Sequence, residues 1–199
     1  MSKITAKQAG HKNVPAFLDM IAHAEGTSTS RYSKDDGYDI VVFGKNSPRT
    51  FSDYSKHPNV LVTVRDEVRS PATGQVVTKA LKSTAAGRYQ ILKRYADAYT
   101  TTLKLPDFGP LSQDAIAIRM LKEQGAMPLI EAGDFAGAVK KVSNIWASLP
   151  GDAYGQRTAH SPKLAELEEV YRKAGGSLAT DPVQKVAKAG KEDTEEGTC

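Results

Sequence analysis

The chain is short of cysteine and of long apolar runs, and each shortage excludes a class of protein. Its single cysteine, Cys199, cannot form an internal disulfide, which removes disulfide-stapled scaffolds and cysteine-rich zinc sites. No stretch approaches the ~18 consecutive apolar residues of a membrane span, so no stable membrane insertion is expected. Residues 1–13 are polar and basic and hold no apolar core of a secretory signal, so none is expected. The four histidines, His11, His23, His57 and His160, show no paired metal-binding spacing such as HExxH. Phosphate-cradling loops, nucleophile elbows and dinucleotide fingerprints are missing as well. No metal and no cofactor are expected.

What is present describes a folded chain. At 199 residues, 40% hydrophobic and 25% charged, there is enough sequence for one generous domain or two small ones. The 27 Lys+Arg against 23 Asp+Glu give a net charge of +4, too little by itself to argue for nucleic acid. The excess is local: residues 27–99 hold twelve basic and seven acidic side chains. That bias suits an anionic partner, or is an incidental feature of a solvated surface. Residues 1–14 read as a basic tail and 177–199 as a flexible, finally acidic one, leaving 15–176 as a single domain.

The residues between separate into helical and extended patterns. Phe17, Leu18, Ile21 and Ala24 form a helical stripe over 15–25, with Pro15 in the first turn and Gly26 as the stop. Residues 38–43, 60–64 and 75–78 are β-branched runs, and 71–74 (PATG) reads as the turn joining the last two. Helical periodicity then returns in four stretches. One carries Ile91, Leu92, Tyr95, Tyr99 and Leu103, and a second follows a Ser112 cap. Asp134 caps the third, and the last runs from Ser161-Pro162 to Gly175-Gly176. Helix, small sheet, then helices predicts an α+β protein.

Among possible chemical groups Glu25 stands out. It closes an apolar helix directly before Gly26, where the negative end of the helix dipole and apolar neighbours both favour a retained proton. A protonated carboxyl suits a general acid for glycosidic cleavage. Position alone leaves an ordinary surface carboxylate in a last turn as the commoner reading.

Several segments carry a resemblance. Residues 16–27 (AFLDMIAHAEGT), 37–42 (GYDIVV), 51–58 (FSDYSKHP), 82–90 (KSTAAGRYQ), 143–150 (SNIWASLP) and 153–156 (AYGQ) resemble the bacteriophage lambda endolysin family in order and rough spacing. The match extends from about residue 15 to 176. It implies a lysozyme-like α+β fold, a helical lobe with a small antiparallel sheet, and a murein lytic transglycosylase acting on the β-1,4 bond between N-acetylmuramic acid and N-acetylglucosamine. Glu25 falls on the family's catalytic glutamate. The alternatives are a hydrolytic muramidase on the same fold, in which Asp39 or Asp53 would be a second carboxylate, and a non-catalytic glycan-binding protein.

The resemblance also nominates substrate-binding residues: Asp39, His57, Ser83, Tyr89, Gln90, Asn144, Trp146, Ser148, Tyr154 and Gln156. Of these, Tyr89 is by pattern more often core than ligand-binding, and Trp146 is equally a sugar platform or a core residue. Peptidoglycan glycan strands are the partner implied; nucleic acid is not, and a monomer is expected. The family implies accumulation in the host cytoplasm and action on periplasmic murein after release through holin lesions. Residues 65–81 are more than a dozen residues longer than the family pattern, and 44–50 slightly longer. The first of these predicts an extended hairpin or lip bordering the cleft.

Overall fold

The computed structural model describes residues 2–151 and 162–181. The first half contains α1 (Ala6–Ala9), α2 (Asn13–Ala24), β1 (Val62–Arg65), β2 (Val68–Arg69), β3 (Val76–Thr78) and β4 (Leu81–Ser83). It is followed by α3 (Lys93–Leu103), α4 (Pro110–Glu123), α5 (Met127–Ala132), α6 (Phe135–Val142) and α7 (Leu164–Lys173). The α+β class expected from the sequence is the class observed. The residues gather into two compact units, one comprising the N-terminus to Lys3 and Ile21–Arg119, the other Ile4–Met20 and everything from Met120. Helices α2 and α4 each contribute to both.

The helical unit is organised by one aromatic cluster and one buried amide. Phe17 meets Phe135 and Tyr171 edge-on at centroid distances of 6.1 and 6.3 Å, and Phe135 lies 5.1 Å from Tyr171. Such pairs add to the burial of three large rings. Asn13, at the start of α2, is fully buried, and its side chain makes three hydrogen bonds. It donates to the carbonyls of Ile130 (2.9 Å) and Ser177 (3.1 Å) and accepts the Ser177 N–H at 3.0 Å. Ser177 and Leu178, read above as the start of a tail, therefore belong to the fold. Asp134 caps α6 through the Gly137 N–H, as the sequence suggests.

The N-terminal residues are also more structured than a tail. Thr5 and Gln8 form a reciprocal capping box at α1. In the other unit, the Lys3 N–H donates to Asp114 Oδ2 at 2.8 Å and to the Tyr38 hydroxyl at 3.0 Å. Helix α4 starts two residues before the expected Ser112 cap. Asp107 orders the turn that precedes it, accepting the Gly109 N–H at 2.8 Å and the Ser112 hydroxyl at 2.7 Å.

In place of three strands, the β-rich unit has two nested two-stranded ladders. β1 pairs antiparallel with β4, and β2 with β3. The turn at 70–74 closes the inner pair, with the Ser70 N–H donating to Gln75 O and the Gly74 N–H to Ser70 O. Residues 62–83 thus form one long irregular hairpin, the extension that the added length of 65–81 predicts. Residues 38–43 make isolated bridges, Ile40 to Thr50 and Val41 to Ala86, instead of a strand. Their β-branched character reflects burial, since Tyr38, Ile40 and Val41 are at most 1% exposed.

Candidate active site

Glu25 occupies the C-cap of α2. The Gly26 N–H donates to His23 O at 2.9 Å and the Thr27 N–H to Ala22 O at 3.1 Å, with Gly26 at φ +70°. This pairing is a Schellman motif, which ends the helix sharply and fixes the direction in which the next residues leave. Glu25 itself is partly exposed. Its position at the carbonyl end of the helix follows from the sequence pattern that identified it.

Below that turn the chain is held by buried polar groups. The Thr27 hydroxyl, 1% exposed, lies 2.6 Å from Arg88 O and 3.0 Å from Ala22 O. It links the helix end to the tight turn 86–91, where the Ala86 and Ile91 backbones exchange hydrogen bonds. Two glycines make this possible. A Cβ on Gly37 would stand 2.9 Å from the Thr27 backbone, and one on Gly87 would overlap the Gln113 side-chain oxygen. Both glycines also have positive φ, +93° and +78°, a region that disfavours side chains. Gln113 completes the turn by accepting the Arg88 N–H at 2.9 Å.

Arg88 is the largest charged group in this interior, at 1% exposure. Its guanidinium donates to the Asp36 carbonyl, pairs with Asp36 Oδ1 at 3.1 Å and stacks 5.2 Å from the Tyr38 ring centroid. A second buried cluster surrounds Asp114, which accepts the hydroxyls of Tyr38 at 2.6 Å and Tyr89 at 2.5 Å. Burial and the nearby Asp114 charge push both phenols well above their ordinary range, so both remain donors. Thr27, Arg88, Gln113 and Asp114 were assigned no role from the sequence. The available signal was a polar pair, Gln113-Asp114, set among the apolar residues of an amphipathic helix.

The nominated substrate-binding residues divide by environment. Ser83, partly exposed at the end of β4, accepts the Ala85 N–H at 3.1 Å. Gln90, also partly exposed, turns its side-chain amide onto Gly87 O at 3.0 Å and adopts φ +49°. A left-handed backbone at a non-glycine residue stores strain of about 1 kcal/mol, held here by the turn around it. Tyr89 is fully buried on Asp114, so it supports the turn from below and presents no face to a ligand.

Asp39 is 5% exposed, and its carboxylate accepts the Ser33 hydroxyl at 2.5 Å and the Lys34 N–H at 2.9 Å. It still borders a pocket of about 380 Å³ with Phe51 and Tyr54. His57 is 4% exposed with both ring nitrogens engaged. Nδ1 accepts the Asn59 N–H at 3.0 Å, so Nε2 carries the proton and donates to Ile91 O at 2.9 Å. His57 thus fixes its loop through both ring nitrogens while bordering a pocket of about 260 Å³ with Lys56 and Phe108.

Burial pushes the His57 pKa below its ordinary value. The unfolded chain therefore takes up a proton at a higher pH than the folded one, and stability must fall as pH drops below about 6.5. Thermal unfolding at pH 7 and pH 5 is expected to show that loss in the wild type and a shallower one in His57→Gln. Equal slopes would contradict it.

In the helical unit, Asn144 is exposed and donates to Gln124 Oε1 at 2.9 Å, and Ser148 is partly exposed. Trp146 is only 3% exposed and belongs to the hydrophobic core, which resolves its two readings against a sugar platform. Tyr154 and Gln156 lie outside the described residues.

Comparison with known proteins agrees with these features. The endolysin family model matches residues 15–178. The endolysin of Escherichia phage lambda is 45% identical over 164 residues, covering 82% of this chain and 91% of that protein. The endolysin of Escherichia phage P2 is 46% identical over 167 residues, covering 83% and 94% respectively. A solved structure of bacteriophage lambda lysozyme complexed with a chitohexasaccharide matches with TM-score 0.70 at 43% identity, over 89% of this chain and 99% of that one. The chain belongs to the endolysin family, phage enzymes that degrade peptidoglycan for host lysis.

Proposed function

We propose that the chain cleaves the β-1,4 bond between N-acetylmuramic acid and N-acetylglucosamine without water, with Glu25 as the single catalytic carboxyl group. Glu25 protonates the glycosidic oxygen as the bond from C1 breaks and the N-acetylglucosamine side departs. The resulting carboxylate then takes the proton of the muramyl C6 hydroxyl while that oxygen bonds to C1. The product carries a 1,6-anhydro ring, Glu25 regains its proton, and no water is consumed. One carboxyl group suffices because the nucleophile belongs to the substrate, whereas most glycoside hydrolases place two carboxyl groups roughly 5–9 Å apart.

The observation that carries this reading is the occupation of the alternative carboxylates. Asp39 is sequestered by Ser33 and the Lys34 N–H. Asp53 accepts the Ser55 N–H at 2.8 Å, closing its own turn. Asp39 is thereby committed to its own loop, and Asp53 is an exposed carboxylate with one oxygen tied into its turn. Gln90, strained and partly exposed in the turn tied to Thr27, is the residue proposed to contact sugar beside Glu25. Ser83, Asn144, Ser148, Tyr154 and Gln156 are proposed as further polar contacts along the glycan, with Asp39 bordering its pocket. The likeness to a lysozyme bound to a chitohexasaccharide supports a glycan substrate.

No helix among the described residues is long and apolar enough to cross a membrane. Access to periplasmic murein is proposed to follow release through holin lesions in the host membrane, as the resemblance implies.

Mass spectrometry of digested murein tests the chemistry. Transglycosylation yields muramyl ends one water lighter than the reducing ends of hydrolysis. Anhydro ends throughout are expected. Reducing ends alone would establish the hydrolytic muramidase instead.

A further inference from the structure

Two exposed arginines and two exposed aromatic rings form a compact cluster that the cleavage chemistry does not use. The Arg31 guanidinium lies 4.9 Å from the Tyr32 ring centroid, and Arg49 lies 5.3 Å from both Tyr32 and Phe43. The two rings meet edge to face at 6.0 Å. Tyr32 is 37% and Phe43 40% exposed, a large apolar surface to leave in water for packing alone. Among the described residues neither guanidinium has a carboxylate within ion-pair distance. Among the described residues Arg94 is set against one ring, Tyr95, at 4.7 Å, and forms no comparable group.

The cluster is also well fixed. Tyr32 sits in successive turns after the Glu25 cap, where the Ser30 N–H bonds to Thr27 O and the Ser33 N–H to Ser30 O. Phe43 and Arg49 bracket the loop that is longer than the family pattern, pinned by the Val41 N–H on Arg49 O and the Ser47 hydroxyl on Val42 O. The neighbouring Gly87 N–H bonds to Ile40 O. The same framework that fixes the helix end at Glu25 therefore fixes this patch.

We infer that Arg31, Arg49, Tyr32 and Phe43 form an accessory site for the carboxylate-bearing stem peptides of peptidoglycan. The Arg31 guanidinium also donates to the Tyr32 hydroxyl at 2.7 Å, and arginines positioned beside rings in this way retain further N–H donors for the paired oxygens of a carboxylate. The exposed ring surface offers contact area to the peptide's aliphatic parts. Strands freed of their peptides keep only the lactyl carboxylate that each muramic acid carries beside its ring, and lack the carboxylates and aliphatic parts of the peptide. This inference rests on the peptidoglycan reading above and adds a preference for peptide-bearing strands over bare ones.

The test compares intact sacculi with glycan strands stripped of stem peptides by an amidase, at low and at physiological salt. The full-length wild type is set against Arg31→Gln/Arg49→Gln and a charge-matched control, Arg94→Gln/Lys104→Gln. At low salt the first double variant is expected to require roughly five- to tenfold more sacculi for half-maximal rate, with at most about a twofold change on stripped strands and none in the control. An equal loss in the control would identify bulk attraction and overturn the site, as would an equal loss on stripped strands or no loss on sacculi. Wild type inactive on both substrates would instead count against the proposed function itself.

Discussion

Glu25→Gln is expected to lower murein solubilisation by about 10²–10⁴-fold, the usual worth of a positioned general acid and base. Glutamine matches glutamate in size and can still accept and donate hydrogen bonds, but it cannot deliver the proton that the departing sugar oxygen requires. Both steps of the proposed mechanism pass through this one carboxyl group, so no second residue compensates. The helix end survives the change, because the Schellman pairing uses the backbones of Ala22, His23, Gly26 and Thr27 and no atom of the Glu25 side chain. The variant should unfold in one cooperative transition, as the wild type does. Release of soluble muropeptides from sacculi measures the first effect and thermal unfolding the second. A folded variant with more than a tenth of wild-type activity would remove Glu25 from the chemistry.

Glu25 was legible in the sequence because its setting is local. An apolar helical stripe, a glycine stop and a polar turn lie within a dozen consecutive residues, and all three features recur in the structure. The support beneath it was not legible, because it joins residues far apart in the chain. Arg88 meets Asp36 across 52 positions, and Asp114 meets Tyr38 across 76. Nothing in the sequence near Arg88 announces a buried cation; its polarity suggests a surface.

The same limit explains Tyr89, Trp146 and His57. Residue type marked them as able to bind sugar, but only tertiary packing decides whether a side chain faces solvent. Gln90 and Tyr89 are adjacent, yet the first is partly exposed and the second fully buried. In the strand region the β-branched run at 38–43 reported burial correctly and strand pairing incorrectly. A buried extended segment and a strand carry the same pattern. The structured N-terminus had a readable signal, Thr5 followed three residues later by Gln8, which basic composition obscured.

Asp114→Ala is expected to produce the largest loss of stability. The carboxylate is fully buried and accepts two phenolic hydroxyls and the Lys3 N–H. Removing it takes away the acceptor these donors share, and each buried orphan costs about 1–3 kcal/mol. Tyr38 and the Lys3 N–H remain 3.0 Å apart and can satisfy one another in part, so a total of about 3 kcal/mol is expected. For a chain of this size that corresponds to a fall in Tm of roughly 6–12 °C. Asp114→Asn keeps one carbonyl acceptor and should lose less.

The effect should also reach Glu25. Tyr89 adjoins both Arg88, whose carbonyl holds Thr27, and Gln90, so freeing its hydroxyl loosens the turn that fixes the helix end. Activity measured below the lowered Tm should therefore fall in Asp114→Ala, although Asp114 touches no substrate. Alkaline unfolding provides a separate check on the cluster. The folded state holds Tyr38 and Tyr89 protonated above their ordinary range, so the unfolded chain releases those protons first. Their contribution is complete below about pH 10 and is lost as pH rises beyond it. A Tyr38→Phe/Tyr89→Phe protein should lose less stability over that rise than wild type, and an equally steep loss would mean that other groups govern the alkaline limb.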